Sequence, residues 1–201
     1  MKKIINIILC LLILAAIIVL GVIIFRYYQY QKNSNEAVEV VAQIEKEFEE
    51  VTQTDAEQGN QKVEVEYKGY KVVGIIEIPK INIKYPILNK TNDDSMQYSI
   101  TKFAGGEVNS IGNFVVAGHN YIDGSMFGKV KQLEIGDQIK LTDLYNNTIT
   151  YEIFDIYSVD PNDTSILEAE EENVREVTLI TCTKGHIERL ITKAREVNSQ
   201  K

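Results

Sequence analysis

The chain has 201 residues, 44% of them hydrophobic, which is room for one ordinary domain with a filled core plus appendages. Acidic residues outnumber basic ones 29 to 21, for a formal charge of −8. That balance gives no electrostatic footprint for a nucleic-acid partner, and the class is excluded.

Met1-Lys2-Lys3 is followed by the run IINIILCLLILAAIIVLGVIIF. These roughly 22 residues would span about 33 Å as a helix, enough to cross a bilayer. A cleaved signal peptide fits less well, because the run exceeds the ~7–15 residues of an h-region and no small-x-small site follows it. Cys10 lies mid-run behind Leu9 and reads as a buried apolar side chain, not a lipid attachment point. Lys2 and Lys3 favour a cytoplasmic N-terminus against the weaker pull of Arg26 and Lys32, so the bulk of the chain is expected outside the cell membrane as a single-pass protein.

Next, RYYQYQK (26–32) carries the aromatics and charge of an interfacial collar. Over residues 35–52 the apolar positions Ala37, Val41, Ile44, Phe48 and Val51 recur at three- and four-residue steps, which predicts an amphipathic juxtamembrane helix. Its stripe is open to three fates: packing on the following domain, pairing between chains, or forming a partly ordered stalk. QTDAEQGNQK (53–62) reads as a linker. The expected division is an anchor at 1–26, a juxtamembrane helix and linker at 27–62, and a third unit at 63–201.

From Val63 the texture changes to short β-rich runs: YKVVGIIEIP, IKYPIL, GNFVVAG, DQIKLTD, TITYEIFDIYSV, EVTLITC and ERLITKA. Their spacing predicts an all-β sandwich or barrel of about seven or eight strands. Short helices are expected near NSIGN or GSMFGKVKQL, and Pro79 and Pro86 are expected to end strands.

Cys182 is the one thiol in the exported part, and it cannot form an internal disulfide, so it raises the possibility of a reactive thiol. Only His119 and His186 could serve it as a base. On a shared strand His186 would stand ~13 Å from Cys182, so a turn must intervene. TKGH offers one, a two-residue type II′ hairpin at Gly185-His186. That register pairs Lys184 with Ile187, Thr183 with Glu188 and Cys182 with Arg189, the last two side by side on one face; a loop one residue longer or shorter would undo this. His119 follows an apolar run at a strand end, where reactive groups tend to be displayed.

Each of these residues has an ordinary reading alone: a small buried hydrophobe, a half-buried ring, a paired strand arginine. Together they have the composition of a thiol acyl-transfer site. A cysteine with pKa ~8.5 is only about 3% thiolate at pH 7, so an imidazole is needed as base and later as acid. The tetrahedral intermediate needs a fixed positive donor, which a guanidinium supplies. A zinc site is not expected, because one thiol and two distant imidazoles leave the four-ligand set unfilled.

At these residues the sequence resembles the sortases, membrane-anchored cysteine transpeptidases of Gram-positive bacteria. TLITC (178–182) resembles the family's TLxTC motif, VVAGHN (115–120) its strand-end histidine, IEIPKINIKYPIL (76–88) its early strand pair, and ERLIT (188–192) its arginine strand. The resemblance implies an eight-stranded β-barrel, with Cys182 as nucleophile, His119 as general acid/base and Arg189 as oxyanion or substrate-positioning residue; Arg195 competes for the last role. It also implies cleavage of a C-terminal sorting signal of LPxTG type at the Thr carbonyl, through a thioacyl enzyme. An amine of a peptidoglycan precursor or a pilin lysine would then accept the surface protein.

DPNDTSILEAEEEN (160–173) matches in position a loop that helps bind the sorting signal, and some members bind calcium there. The ligand pattern does not match residue by residue, so a solvated acidic loop is preferred and no cofactor is expected. The chain has no tryptophan and no lid-like Asp-Pro-Trp plug, which argues against the typical pilin-polymerising class, and the class stays open. Two alternatives remain: a hydrolytic cysteine peptidase with the same residues, and a non-catalytic, membrane-tethered barrel that binds wall peptides or a partner protein.

Overall fold

The computed structural model describes residues 2–54, 61–183, 185 and 187–197. A single helix, α1 (Lys2–Thr54), runs unbroken through the apolar segment, the collar and the amphipathic stretch, where the sequence predicts two helices. The collar holds no Gly or Pro to interrupt it, and a Lys32–Glu36 pair at 3.8 Å spans one turn just beyond it. The first half of α1 is exposed on every side, long and apolar enough to cross a membrane. Cys10 shares that exposure and is not buried within the protein.

The second half behaves differently. Ala37, Val41, Ile44 and Phe48 are 0–6% exposed and join the core of the following domain, with Val51 packed partly against it. Of the three fates open to the stripe, the structure has the first. Polar contacts fix the rotation of the helix: Glu36 to Lys68 at 2.7 Å, Ser34 to the Tyr85 hydroxyl at 2.6 Å, and Glu45 to Lys84.

Nine strands follow: β1 (Glu66–Tyr67), β2 (Tyr70–Ile78), β3 (Ile83–Leu88), β4 (Ile100–Ala104), β5 (Gly112–Ala117), β6 (Gln138–Asp143), β7 (Thr148–Val159), β8 (Arg175–Cys182) and β9 (Arg189–Glu196). β1 only extends a hairpin with β2. The other eight pair in the order β2-β3-β4-β5-β8-β9-β7-β6, and β6 returns to β2, closing an eight-stranded barrel. Closure leaves no long free edge. Two neighbour pairs, β3–β4 and β5–β8, are parallel.

Each of the seven β-rich runs is a strand. β4, ITKFA, escapes sequence reading because its polarity is inverted: Thr101 is buried and Phe103 is 49% exposed. The Thr101 hydroxyl is satisfied inside by Thr91 at 2.7 Å. Pro79 ends β2 as expected, but Pro86 lies within β3. β3 is unpartnered on one side there, since β4 joins only at Ile87, so a residue without an N–H is tolerated. NSIGN is a turn leading into β5, not a helix, and GSMFGKVKQL contains only a 3₁₀ turn at Val130–Gln132.

Two apolar clusters result from the alternation of side chains across the barrel wall. Val177 and Leu179 of β8 face the interior with α1 against the same core. Ile180 faces outward with Val115 and Ala117 of β5, Ile191 of β9 and Ile166 of the loop before β8. This small outer cluster floors the candidate site.

Candidate active site

Cys182 ends β8, two residues after Ile180, so its side chain leaves the wall on the outer face; it is half-buried. Strand β8 is fixed to β5 by two hydroxyls. Thr181 Oγ1 donates to the Gly118 carbonyl at 2.8 Å, and Thr178 Oγ1 to Asn113 Oδ1 at 2.9 Å. These bonds set the height of Cys182 relative to the end of β5.

Arg189 opens β9 and stands directly opposite Cys182 in the antiparallel ladder. The pairing predicted from the turn is the pairing found, with the Thr183 N–H donating to the Glu188 carbonyl at 3.0 Å and Gly185 at φ +90°. Lys184 and His186 lie outside the described residues, and with them the Lys184–Ile187 pair and the turn type. Arg189 Nη1 is buried and has no hydrogen-bond partner among the described residues. Among buried side-chain groups that is costly, so an acceptor from outside the chain would be favourable there.

His119 comes from β5, which runs parallel to β8 with Ala117 beside Ile180. The Gly118 N–H donates to the Ile180 carbonyl at 3.1 Å, so the pairing continues one step past the strand and delivers His119 to the end where Cys182 sits. Gly118 is needed for this: a Cβ there would lie 2.7 Å from the Phe127 ring. His119 is further held by its carbonyl, which accepts from the Phe127 N–H at 3.0 Å, and by its ring, 5.1 Å from that of Tyr121. Tyr121 in turn stacks on Tyr30 of α1 at 4.5 Å. Burial, with Tyr30 and Asp123 nearby, pushes the Tyr121 hydroxyl well above its ordinary pKa.

Sequence reasoning missed Asn120, whose Nδ2 donates to the Cys182 carbonyl at 2.8 Å and ties the histidine loop to the cysteine strand. The only signal was its place beside His119.

Arg195 is not at this end. It lies six residues along β9 from Arg189, about 20 Å away. There it binds Glu176 at 2.9 Å and Glu171 at 2.7 Å and covers the Phe154 ring at 4.6 Å. Its role is to hold the loop before β8, which is also held by Lys193 to Glu170 at 2.9 Å and by Asn113 Nδ2 to the Ile166 carbonyl at 3.0 Å. The loop's acidic residues are therefore only partly free in solvent: Glu170 and Glu171 are ion-paired, and Asp163 caps Ser165, whose hydroxyl and N–H lower its pKa. No group of three metal-ligating side chains occurs among the described residues.

Three neighbouring strands thus bring a thiol, an imidazole-bearing loop and a guanidinium whose Nη1 has no partner among the described residues to one end, above an apolar floor. Comparison with known proteins places the chain in a family. The sortase-domain profile matches residues 76–197, and the chain belongs to the sortase family. It is 27% identical to sortase A of Bacillus anthracis over 187 residues, 90% of this chain and 88% of that protein. It is 32% identical to sortase D of Bacillus subtilis (strain 168) over 132 residues, 65% of this chain and 64% of that one. Among solved structures, a Clostridium perfringens sortase D5 transpeptidase superposes with TM-score 0.61 at 26% identity, covering 78% of this chain and 95% of that one. A lid mutant of Corynebacterium diphtheriae sortase A gives 0.58 at 28%, covering 63% and 70%. Membership carries cysteine transpeptidase function in general, on a membrane-anchored protein.

Proposed function

We propose that Cys182, His119 and Arg189 cleave a C-terminal sorting signal of LPxTG type and transfer the protein to an amine. The Cys182 thiol gives its proton to His119 and attacks the Thr carbonyl; Arg189 holds the oxyanion that forms. Collapse expels the C-terminal fragment, whose amine takes the proton from His119, and leaves a thioester on Cys182. An amine from a peptidoglycan precursor or a pilin lysine then attacks the thioester, His119 accepts its proton and returns it to sulfur, and an amide replaces the amide that was cut. With residues 4–25 as the span and the N-terminus cytoplasmic, the barrel works outside the cell membrane on surface proteins held there.

The observation that carries this reading is the Cys182–Arg189 pairing with Nη1 buried and, among the described residues, unpartnered beside the thiol's strand end. An oxyanion is an acceptor of the right charge for that donor. The outer cluster supports it as well, since Ile180 and Ile191, roofed by Ile166, form a wall for the apolar residues of a sorting motif.

The test is incubation of the full chain in detergent with a library of sorting-motif peptides and an amine acceptor, with products read by mass spectrometry. Ligated product that disappears with Cys182→Ala is expected. Hydrolysed peptide alone would favour a peptidase, and intact peptide a binding module.

A further inference from the structure

The helix that would cross the bilayer is also the helix on which the barrel is packed, so the span fixes the height of the barrel. Residues 29–31 of α1 are already half-buried by the domain, and there is no stalk between. The contacts nearest the span, among those described, come from the loop that bears His119. Tyr121 stacks on Tyr30 at 4.5 Å, and Asp123 accepts from Gln31 Nε2 at 2.9 Å. Gln31 is six residues past Phe25, the last apolar residue of the span, a rise of about 9 Å. The headgroup layer on each side of the hydrocarbon is about 5–8 Å deep.

Between those two helix-bound residues stands Ile122. Its relative exposure is 107%, the highest of the large apolar side chains described outside or inside the span. It occupies a corner of a closed turn, where the Gly124 N–H donates to the Tyr121 carbonyl at 3.1 Å and the Asp123 carboxylate accepts from the Ser125 N–H at 2.8 Å. Such corners are commonly Pro, Asp, Ser or Gly, because they project into water. An isoleucine held outward on a turn packed about one helical turn above the exposed aromatics Tyr27 and Tyr28 is instead suited to lipid.

We infer that the turn at residues 121–124 is a membrane-contacting edge, with Ile122 inserted into the headgroup layer of the same bilayer that α1 spans. Lys129, whose side chain lies along Gly124, stands behind the turn with its charge near the lipid phosphates. His119, two residues before Tyr121, is thereby held close to the bilayer surface. This inference rests on residues 4–25 being a span and is independent of the catalytic roles.

The chain has no tryptophan, so a single introduced one reports its own position. The full chain is reconstituted in phosphatidylcholine–phosphatidylglycerol vesicles containing lipids brominated high on the acyl chain, as Ile122→Trp, Leu14→Trp and Ile135→Trp. Ile135 is 70% exposed and two residues from Asp137, which binds Lys80 at 3.5 Å on the β2–β3 connection. That connection leads directly into Lys84 of β3, whose partner on α1 is Glu45. Glu45 is about 30 Å up the helix from Phe25. Quenching of Ile122→Trp at least threefold stronger than of Ile135→Trp, with Leu14→Trp also quenched, is expected. Equal quenching at 122 and 135 while Leu14→Trp is quenched would overturn the contact and leave the span intact. An unquenched Leu14→Trp would overturn both.

Discussion

Arg189 faces Cys182 across the β8–β9 ladder, and its buried Nη1 meets no acceptor among the described residues. A side chain that only stabilised the barrel would be paired there, as Arg195 is with Glu176 on the same strand. Arg189→Ala and Arg189→Lys are therefore expected to lower kcat by about 10²–10³, the usual loss of an oxyanion donor, with KM much less affected. Arg189→Met is expected to leave the melting temperature unchanged. Steady-state kinetics with thermal melts of the same variants check both.

Gly118 carries the turn from β5 into the histidine loop with no room for a methyl group. Gly118→Ala must displace Phe127 or the loop, at about 1–3 kcal/mol. Because the same loop carries His119 and Asn120, the acylation rate should fall further than stability does. Asn120→Ala, which removes one bond to the Cys182 carbonyl, is expected to cost about 1 kcal/mol in a chemical denaturation curve.

Glu176 is only 1% exposed, and Arg195 neutralises it. Arg195→Ala should destabilise by about 2–4 kcal/mol, somewhat below the loss for a fully buried pair because Arg195 is partly exposed. Arg195→Ala with Glu176→Gln should recover much of that. Since Lys193 and Arg195 already occupy Glu170, Glu171 and Glu176, adding calcium or a chelator is expected to change neither the ligation rate nor the melting temperature. A calcium-dependent rate would mean that the loop rearranges around a metal.

The helix dock is expected to weaken in acid. The hydrogen bond from Lys68, opposed by desolvation and aided by the charges of Lys68 and Lys32, holds the Glu36 carboxyl below its usual range. A carboxyl lowered on folding adds stability that is complete above its unfolded pKa, about 4.3, and is lost as pH falls through the folded value. Glu36→Gln should thus melt below the parent at pH 7 and converge with it at pH 3. Ile44→Ala, at a wholly buried position on the same helix, should cost about 2–5 kcal/mol at either pH.

Most of the barrel was legible because its strands alternate or are β-branched, and the stripe from Ala37 to Val51 announced an amphipathic helix. Its fate was not legible, since periodicity says that a face is apolar and not whether or by what it is covered. β4 was hidden by a buried threonine and an exposed phenylalanine, an inversion that only tertiary hydrogen bonds make tolerable. Pro86 misled because the missing partner at that point of β3 is a property of strand order. At the candidate site, the cysteine, histidine and arginine could be singled out as candidates from residue chemistry and one turn. Asn120 could not, because its partner is a backbone carbonyl 62 residues away. The unbroken junction of span and juxtamembrane helix had no sequence signal beyond the lack of a breaker, yet it decides where the loop at residues 119–128 sits.

The most direct test is intact-mass spectrometry of the full chain mixed with a sorting-motif peptide and no acceptor. A thioacyl adduct carrying the peptide through its Thr, mapped to Cys182 and discharged as amide when an amine is added, is the expected result. Peptide turnover that survives Cys182→Ala, or an adduct on any other residue, would contradict the account.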